Sequence, residues 1–247
     1  MPQISFVMPT KNRGYLIRES IQSIVSQTVA DWELIIVDAH SDSTDKTEAE
    51  VKSFNDTRIK YIKMPDGWTS GIAAARNFGN MFANSPIIAV TDSDDIYKNN
   101  RAELTINAFK EQNCDVFYGR NEILDKTTGE MQSGSEKNPV VPFSIEKLRE
   151  YNFIPHGSTA YKTEIAYNFP YNSFFQKAED YDLFMRLATT GKKFYFCDEV
   201  IFTYVMHGRN IMLTQKSGNF GDLVKLNQGG SENRESVLKD IIDNSDE

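Results

Sequence analysis

Cysteine is scarce in this 247-residue chain: only Cys114 and Cys197 occur, each inside an apolar run. Two such residues build neither a disulfide framework nor a cysteine-based zinc site, and a reducing, cytoplasmic setting suits them best. Long apolar runs are missing as well. No stretch approaches the ~18 residues of a membrane span, and the opening MPQISFVMPTKNR is not built like a signal peptide. Positive charge is also short: Lys and Arg number 27 against 35 Asp and Glu, a formal net charge of −8. Half of that excess lies in the final SENRESVLKDIIDNSDE, where six acids face two bases. Without a basic face the chain is no general nucleic-acid binder. Nor does a G-x-G-x-x-G follow the first apolar run, which disfavours a dinucleotide-dependent oxidoreductase.

What is present alternates. ISFVM (Ile4–Met8) is a short continuous apolar run closed by Pro9, and Leu16, Ile17, Ile21, Ile24 and Val25 then recur at helical spacing. ELIIVD (Glu33–Asp38), IKYI (Ile59–Ile62) and IIAVT (Ile87–Thr91) read as three further strands. Ser43 or Thr44 is expected to cap the helix after the second strand, and Asn100 with Glu103 to form a capping pair after the fourth. GIAAARNFGNMFAN reads as a helix between the third and fourth strands. Four strand–helix units with short links predict a doubly wound α/β sheet, mostly parallel, with ligands at the carboxyl ends of its strands.

The second half is less regular. A hairpin is expected near Asp125–Gly129, a short helix over FSIEKLREY and an extended HGSTAYK. An amphipathic helix over EDYDLFMRLATTGKK should end at Gly191, followed by two strands, KFYFC and FTYVM. From about Thr214 a Gly/Asn/Ser-rich linker leads to a short segment whose Val237, Leu238, Ile241 and Ile242 could form one apolar helix face.

The run IIAVTDSDD raises the chemical question. Asp92, Asp94 and Asp95 crowd like charges that repel unless something positive sits among them. Side chains alternate in extended backbone, so Asp92 and Asp94 share one side. An acidic loop that merely caps the next helix is one reading. A clamp for Mg²⁺ or Mn²⁺ and a diphosphate is the other, because such hard cations take few carboxylates and fill their shell with phosphate oxygens and water.

Six segments in order, ISFVMPTKNR, QTVADWELIIVD, GIAAARNFGN, VTDSDD, AEDYDLFMRLATTGK and YVMHGRN, closely resemble the nucleotide-sugar-dependent glycosyltransferases of family 2, which have the GT-A fold. The resemblance covers roughly residues 3 to 212. It implies a GT-A domain over 1–213, with a nucleotide-sugar half (1–112) and an acceptor-side half (113–213), and an acidic tail over 214–247. It also implies inverting transfer of a sugar from a nucleotide-sugar donor, with a UDP-sugar expected, to a hydroxyl of a glycan or lipid-linked acceptor. Residue by residue, it places Thr10 in the nucleotide pocket and Asp38 opposite the uracil imide. Arg76 falls on the nucleotide or its diphosphate and Asp92 near the ribose. Asp94 is placed on the Mn²⁺ or Mg²⁺, with His207 over the diphosphate or in the metal shell. Asp180 becomes the general base. His156 would lie near the donor sugar, and the aromatics of NFPYNSFF would form a sugar-stacking loop or a lid packed on the core.

Two positions depart from the family pattern. Ala39 stands where a second Asp is usual, which puts ribose-side contacts in doubt, and Lys11 stands where an aromatic often flanks the base. A nucleotidyltransferase, or a sugar-nucleotide- or glycan-binding module without turnover, remains an alternative reading. Peripheral association with a membrane is compatible with a lipid-linked acceptor, although the acidic tail is ill suited to anionic lipid. Truncation after Gln228 is expected to leave donor binding intact.

Overall fold

A computed structural model describes residues 1–210 apart from Ser70, Lys137, Gln176 and Arg209. The acidic tail, with its apolar face and the Gln228 truncation point, lies outside the described residues.

In the first half β1 (Ile4–Thr10) is followed by α1 (Ile17–Val25), β2 (Trp32–Asp38) by α2 (Thr47–Lys52), and β3 (Ile59–Lys63) by α3 (Ile72–Asn80). Then come β4 (Ile87–Val90), the two-residue β5 (Ile96–Tyr97) and α4 (Arg101–Glu111). The strands β3, β2, β1 and β4 lie side by side and parallel. Every residue of β1, β2 and β4 is buried, because helices cover both faces of the sheet. Alternation sends Phe6 and Met8 to one face, with Ile17 and Ile21 of α1 and Ile106 of α4, and Val7 to the other, with Ala74 and Phe78 of α3. The α3 contact is unusually close. A Cβ on Gly79 would stand 2.6 Å from Val7 Cγ1 and 2.8 Å from Val37 Cγ2, so only glycine lets the helix lie this deep.

The second half holds β6 (Val116–Asp125), β7 (Met131–Gln132), α5 (Ile145–Glu150), a 3₁₀ turn at His156–Ser158, β8 (Ala160–Lys162), α6 (Thr163–Asn168), α7 (Glu179–Thr189) and β9 (Phe194–Met206). It extends the same sheet in the order β4, β8, β6, β9, β5, with β8 antiparallel to both neighbours. A third apolar cluster, built on Leu148, Phe153, Phe184 and Met185, packs α5 and α7 together under this part. The fold is the α/β architecture expected from the sequence.

Several local expectations change. KFYFC and FTYVM are one 13-residue strand, β9, which pairs in parallel with β6 through a bulge where Arg120 faces Val200 and Gly119 faces Cys197. The polar Asp198 and Glu199 occupy the bulge and stay exposed, which made the strand look interrupted. Neither Ser43 nor Thr44 caps α2; Asp45 Oδ1 accepts from Thr47 N at 2.8 Å instead. Asn100 makes no side-chain cap, and Glu103 accepts from Thr28 Oγ1 at 2.9 Å. HGSTAYK begins as the 3₁₀ turn and is extended only from Ala160. The hairpin forms where expected, with Gly129 N donating to Asp125 O, and α7 ends at Gly191, whose φ of 76° is a left-handed cap.

Candidate active site

The carboxyl ends of β1, β2 and β4, with the start of α3, surround a cavity of about 400 Å³. Thr10, Arg76, Asp92 and Asp94 line it, together with Lys11, Arg13, Ala39, Asp95 and Tyr204. Four of the seven residues singled out from the sequence are thus brought together. The departures Lys11 and Ala39 line the same wall, so no aromatic flanks the cavity at position 11.

The acidic run is braced strand-like from below. Thr91 donates through its backbone N–H (3.1 Å) and its Oγ1 (2.8 Å) to Val7 O. Asp92 N donates to Tyr97 Oη at 2.5 Å, and Val205 N donates to Asp95 Oδ1 at 3.0 Å. The positive partners that the run requires come from the chain itself. Arg76 Nη2 donates to Asp92 Oδ1 at 2.7 Å. Arg13 Nε lies 3.5 Å from Asp94 Oδ2, and His207 Nε2 lies 3.1 Å from the same oxygen. Fully buried Arg101 sits behind the run, donating to Val90 O at 2.6 Å and stacked 4.4 Å from the Tyr97 ring. Burial and the charges of Asp92 and Asp94 push the Asp95 carboxyl well above its ordinary range, against the pull of the Val205 N–H and Arg101. Asp95, although it lines the cavity, is bound from below by Val205 N and is 2% exposed, whereas Asp92 and Asp94 are bound by the side chains of Arg76, Arg13 and His207.

Arg76 is 3% exposed, and its Nε and Nη1 have no hydrogen-bond partner. Burial opposes its charge, but Asp92, Tyr171 and Glu179 outweigh that and hold it firmly protonated. The buried Thr10 Oγ1 is likewise unpartnered. Among the described residues, Arg76 and Thr10, which both line the cavity, thus keep buried polar atoms whose hydrogen-bonding capacity is unused.

The other three residues stand around the cavity rather than in its wall. Asp38, at the end of β2, is 4% exposed; its Oδ1 accepts from Ser41 N at 2.8 Å and its Oδ2 from the Tyr61 hydroxyl. His207 is fixed by its own backbone N–H to Asn210 Oδ1 at 2.8 Å, and its side chain is only 4% exposed. Asp180 opens α7 beside Glu179, whose Oε1 is 4.0 Å from Arg76 Nε. The residue before the helix, Ala178, is left-handed (φ 60°), a conformation that is uncommon without a glycine and that aims the two carboxyls. Burial raises the Asp180 carboxyl, while the Tyr181 N–H, Arg76 and an Asn152 amide (3.1 Å from Oδ2) pull it back. Burial and the Asp180 charge lift Glu179 to about 7. Asp182 is tied to Arg186 at 2.8 Å and is fully buried.

His156 hydrogen-bonds Tyr171 Oη through Nε2 at 2.9 Å, and burial followed by the nearby Arg76 push it well below its ordinary range, so it is a neutral packing residue beneath the site. Of the NFPYNSFF aromatics, Tyr171 and Phe175 are buried in the core and Phe174 is 75% exposed. Arg13, Arg101, Tyr97 and Asn152 were not singled out from the sequence. Only Arg13, inside the KNR of the first loop, and Arg101, opening the helix after the acidic run, stood close to a motif that could have flagged them.

A parallel half whose strands end in acids and unpartnered donors, continued by a mixed half that presents a carboxylate pair on a helix, defines a GT-A-type fold. Residues 5–177 match the profile of Glycosyl transferase family 2, and the chain belongs to that family. It is 37% identical over 125 residues (51% of this chain, 48% of the relative) to the UDP-Glc:alpha-D-GlcNAc-diphosphoundecaprenol beta-1,3-glucosyltransferase WfgD of Escherichia coli. It is 29% identical over 255 residues to the chondroitin synthase of Pasteurella multocida (strain Pm70), covering 100% of this chain and 25% of that protein. The chain thus spans half or less of the length of these two relatives. Among solved structures it resembles Staphylococcus aureus TarS 1-349 in complex with UDP-GlcNAc, with a TM-score of 0.74 at 17% identity over 98% of this chain and 72% of that one. It also resembles the mannosyltransferase PcManGT of Pyrobaculum calidifontis in complex with GDP-Man and Mn2+, with a TM-score of 0.63 at 17% identity over 85% and 58%.

Proposed function

We propose that the protein is an inverting glycosyltransferase that moves a sugar from a UDP-sugar to a hydroxyl of a glycan or lipid-linked acceptor. The observation that carries the reading is the buried Arg76 with two nitrogens unpartnered on the cavity wall beside Asp92 and Asp94. Breaking the anomeric bond leaves negative charge on a departing diphosphate, and a fixed guanidinium there stabilises that charge as it develops. Asp38, held by Tyr61 and Ser41, keeps lone pairs for an imide N–H, which favours uracil over a base offering only acceptors there. Asp180 removes the acceptor proton, and one base suffices because a single in-line displacement inverts the anomeric centre.

Among the described residues no group of three or more His, Cys, Asp or Glu is arranged to hold a metal alone. The oxygen donors of Asp94 and Asp92 nonetheless fit Mn²⁺ or Mg²⁺ that completes its shell with phosphate oxygens. Such an ion, when bound, supplies further charge for the leaving diphosphate. The two buried thiols suit a cytoplasmic enzyme. Among the described residues no helix is long and apolar enough to cross a membrane, so a lipid-linked acceptor would be met at the membrane surface.

A thermal-shift screen of UDP-, GDP- and CDP-sugars with Mn²⁺ tests the donor. A ligand at ~100 times its Kd adds about 2.7 kcal/mol of stability, so the right nucleotide stands out. The expected result is a shift with UDP-sugars, and acceptor-dependent release of UDP. A larger shift with GDP-sugars would overturn the uracil assignment; binding with no release under any acceptor would favour a binding module.

A further inference from the structure

Resting on the reading of this cleft as a UDP-sugar site, we infer that Arg13 is a mobile counter-ion. It neutralises Asp94 while the cleft is empty, and it turns onto the nucleotide diphosphate when a divalent cation takes Asp94. Two nitrogen groups, Arg13 and His207, share Asp94 Oδ2, and they are held very differently. His207 is fixed: its backbone N–H is bound by Asn210, its side chain is buried, and its Nε2 is 3.1 Å from the oxygen. Arg13 is fixed only by its backbone. Its N–H donates to Thr47 Oγ1 at 2.9 Å, and the next residue, Gly14, donates to Asp45 Oδ1 at 3.2 Å. Among the described residues the guanidinium makes only long hydrogen-bonding contacts, 3.5 Å to Asp94 and 3.5 Å to Lys11 O, both at the outer limit of a hydrogen bond, with Asp45 as a further charged neighbour.

A Mn²⁺ or Mg²⁺ held by Asp94 would bring a second positive charge to the oxygen that Arg13 faces. Arg13 Nε would then face a divalent charge across that same atom, and the repulsion displaces whichever partner is less firmly held. That partner is Arg13, on a flexible stem anchored at its root. The cavity it lines is also lined by Arg76, so the side chain swings toward the anion that Arg76 awaits. A planar fork on each side of a diphosphate is the geometry in which arginine outperforms lysine. Two consequences follow. Arg13 competes with the metal when no nucleotide is present, and it rewards the nucleotide once the metal has arrived. Metal and nucleotide therefore strengthen one another's binding through this one side chain.

The experiment uses Arg13→Gln and Arg13→Lys in the full chain. Mn²⁺ binding without nucleotide is followed by electron paramagnetic resonance, and UDP binding with and without Mn²⁺ by calorimetry. Uridine, which lacks phosphate, serves as the control. In Arg13→Gln, Mn²⁺ alone should bind more tightly than in the wild type, UDP with Mn²⁺ more weakly, and uridine equally. The factor by which each of Mn²⁺ and UDP enhances the other should fall about fivefold or more, the lower end of ordinary coupling between sites. Arg13→Lys, which keeps the charge without the fork, should recover part of the UDP affinity. The inference is overturned if Arg13→Gln leaves the mutual enhancement unchanged, or if it weakens Mn²⁺ binding in the absence of UDP. A wild-type chain that binds neither UDP nor Mn²⁺ with UDP would instead remove the proposed function on which the inference stands.

Discussion

The strands β1, β2 and β4 are buried at every residue, whereas β6 is fully buried only over its first four residues and β9 mixes buried positions with partly exposed ones and the exposed Asp198 and Glu199. This difference decides where each half keeps its chemistry. A strand covered on both faces keeps its polar groups at its ends: Ser5 and Glu33 bond one another near the amino ends of β1 and β2, and Thr10, Asp38 and Asp92 stand at the carboxyl ends. The second half has no such rule. Its carboxylate pair, Glu179 and Asp180, rides on the first turn of α7, after the left-handed Ala178. On the proposed reading the donor side is built into the sheet, and the base side is mounted on it.

The sharpest way to separate the two halves is Asp180→Asn. It should lower turnover by roughly 10²–10⁴-fold while UDP affinity, read by calorimetry, stays near wild type. Turnover at the wild-type rate would break the comparison and move the base to Glu179. Next in size, Asp94→Ala should erase the Mn²⁺-dependent part of UDP binding without lowering the melting temperature appreciably, since Asp94 belongs to the cleft and not to the core.

A smaller effect probes α7 from the side of stability. Glu179 has a value of about 7 in the folded protein against an ordinary 4.5. Between those values the unfolded chain has lost a proton that the folded chain keeps. The stability contributed by this group is therefore full below pH 4.5 and is lost as pH rises through about 7. Glu179→Gln should reduce the difference between urea midpoints measured at pH 5 and pH 8, while the raised Asp95 and Asp180 and the lowered His156 keep their own shares of the slope in both proteins. An unchanged slope would place the titration elsewhere.

The smallest test compares two glycines. In Gly79→Ala the new methyl meets the β-branched Val7 and Val37, and overpacking of ~1–3 kcal/mol outweighs the ~1 kcal/mol of helix propensity gained. In Gly119→Ala of the second half it meets chiefly the end of the Ile201 side chain, which can turn aside. Denaturant unfolding should therefore rank Gly79→Ala as the more destabilising. The reverse order would mean that the first half is no tighter than the second.

The same contrast explains what could be read beforehand. Continuous apolar runs and acids at their ends are visible in a sequence, and they located the parallel strands and the acidic run with Asp92 and Asp94, whereas Thr10 and Arg76 were singled out by the resemblance to family 2 glycosyltransferases. The bulge in β9 was hidden because Asp198 and Glu199 imitate a turn, and β5 because two residues carry no periodicity. The arginines that balance the acidic run were invisible for another reason. Arg13 lies 81 positions before Asp94, and only the pairing of β1 with β4 brings them together. Asn152 reaches Asp180 from a loop with no pattern of its own.

The pairing of Arg76 with Asp92 and of Arg13 with Asp94 has a kinetic side. The two pairs offset one another's charge and so weaken the long-range field that these four groups cast from the cleft. On the proposed reading a nucleotide diphosphate would gain little steering from them before contact. Discrimination is deferred to the moment after contact, when the pairs open and their charges are re-aimed. Selectivity of this kind resides in how slowly the right ligand leaves, and polyanions that match the charge without the shape find nothing to hold them.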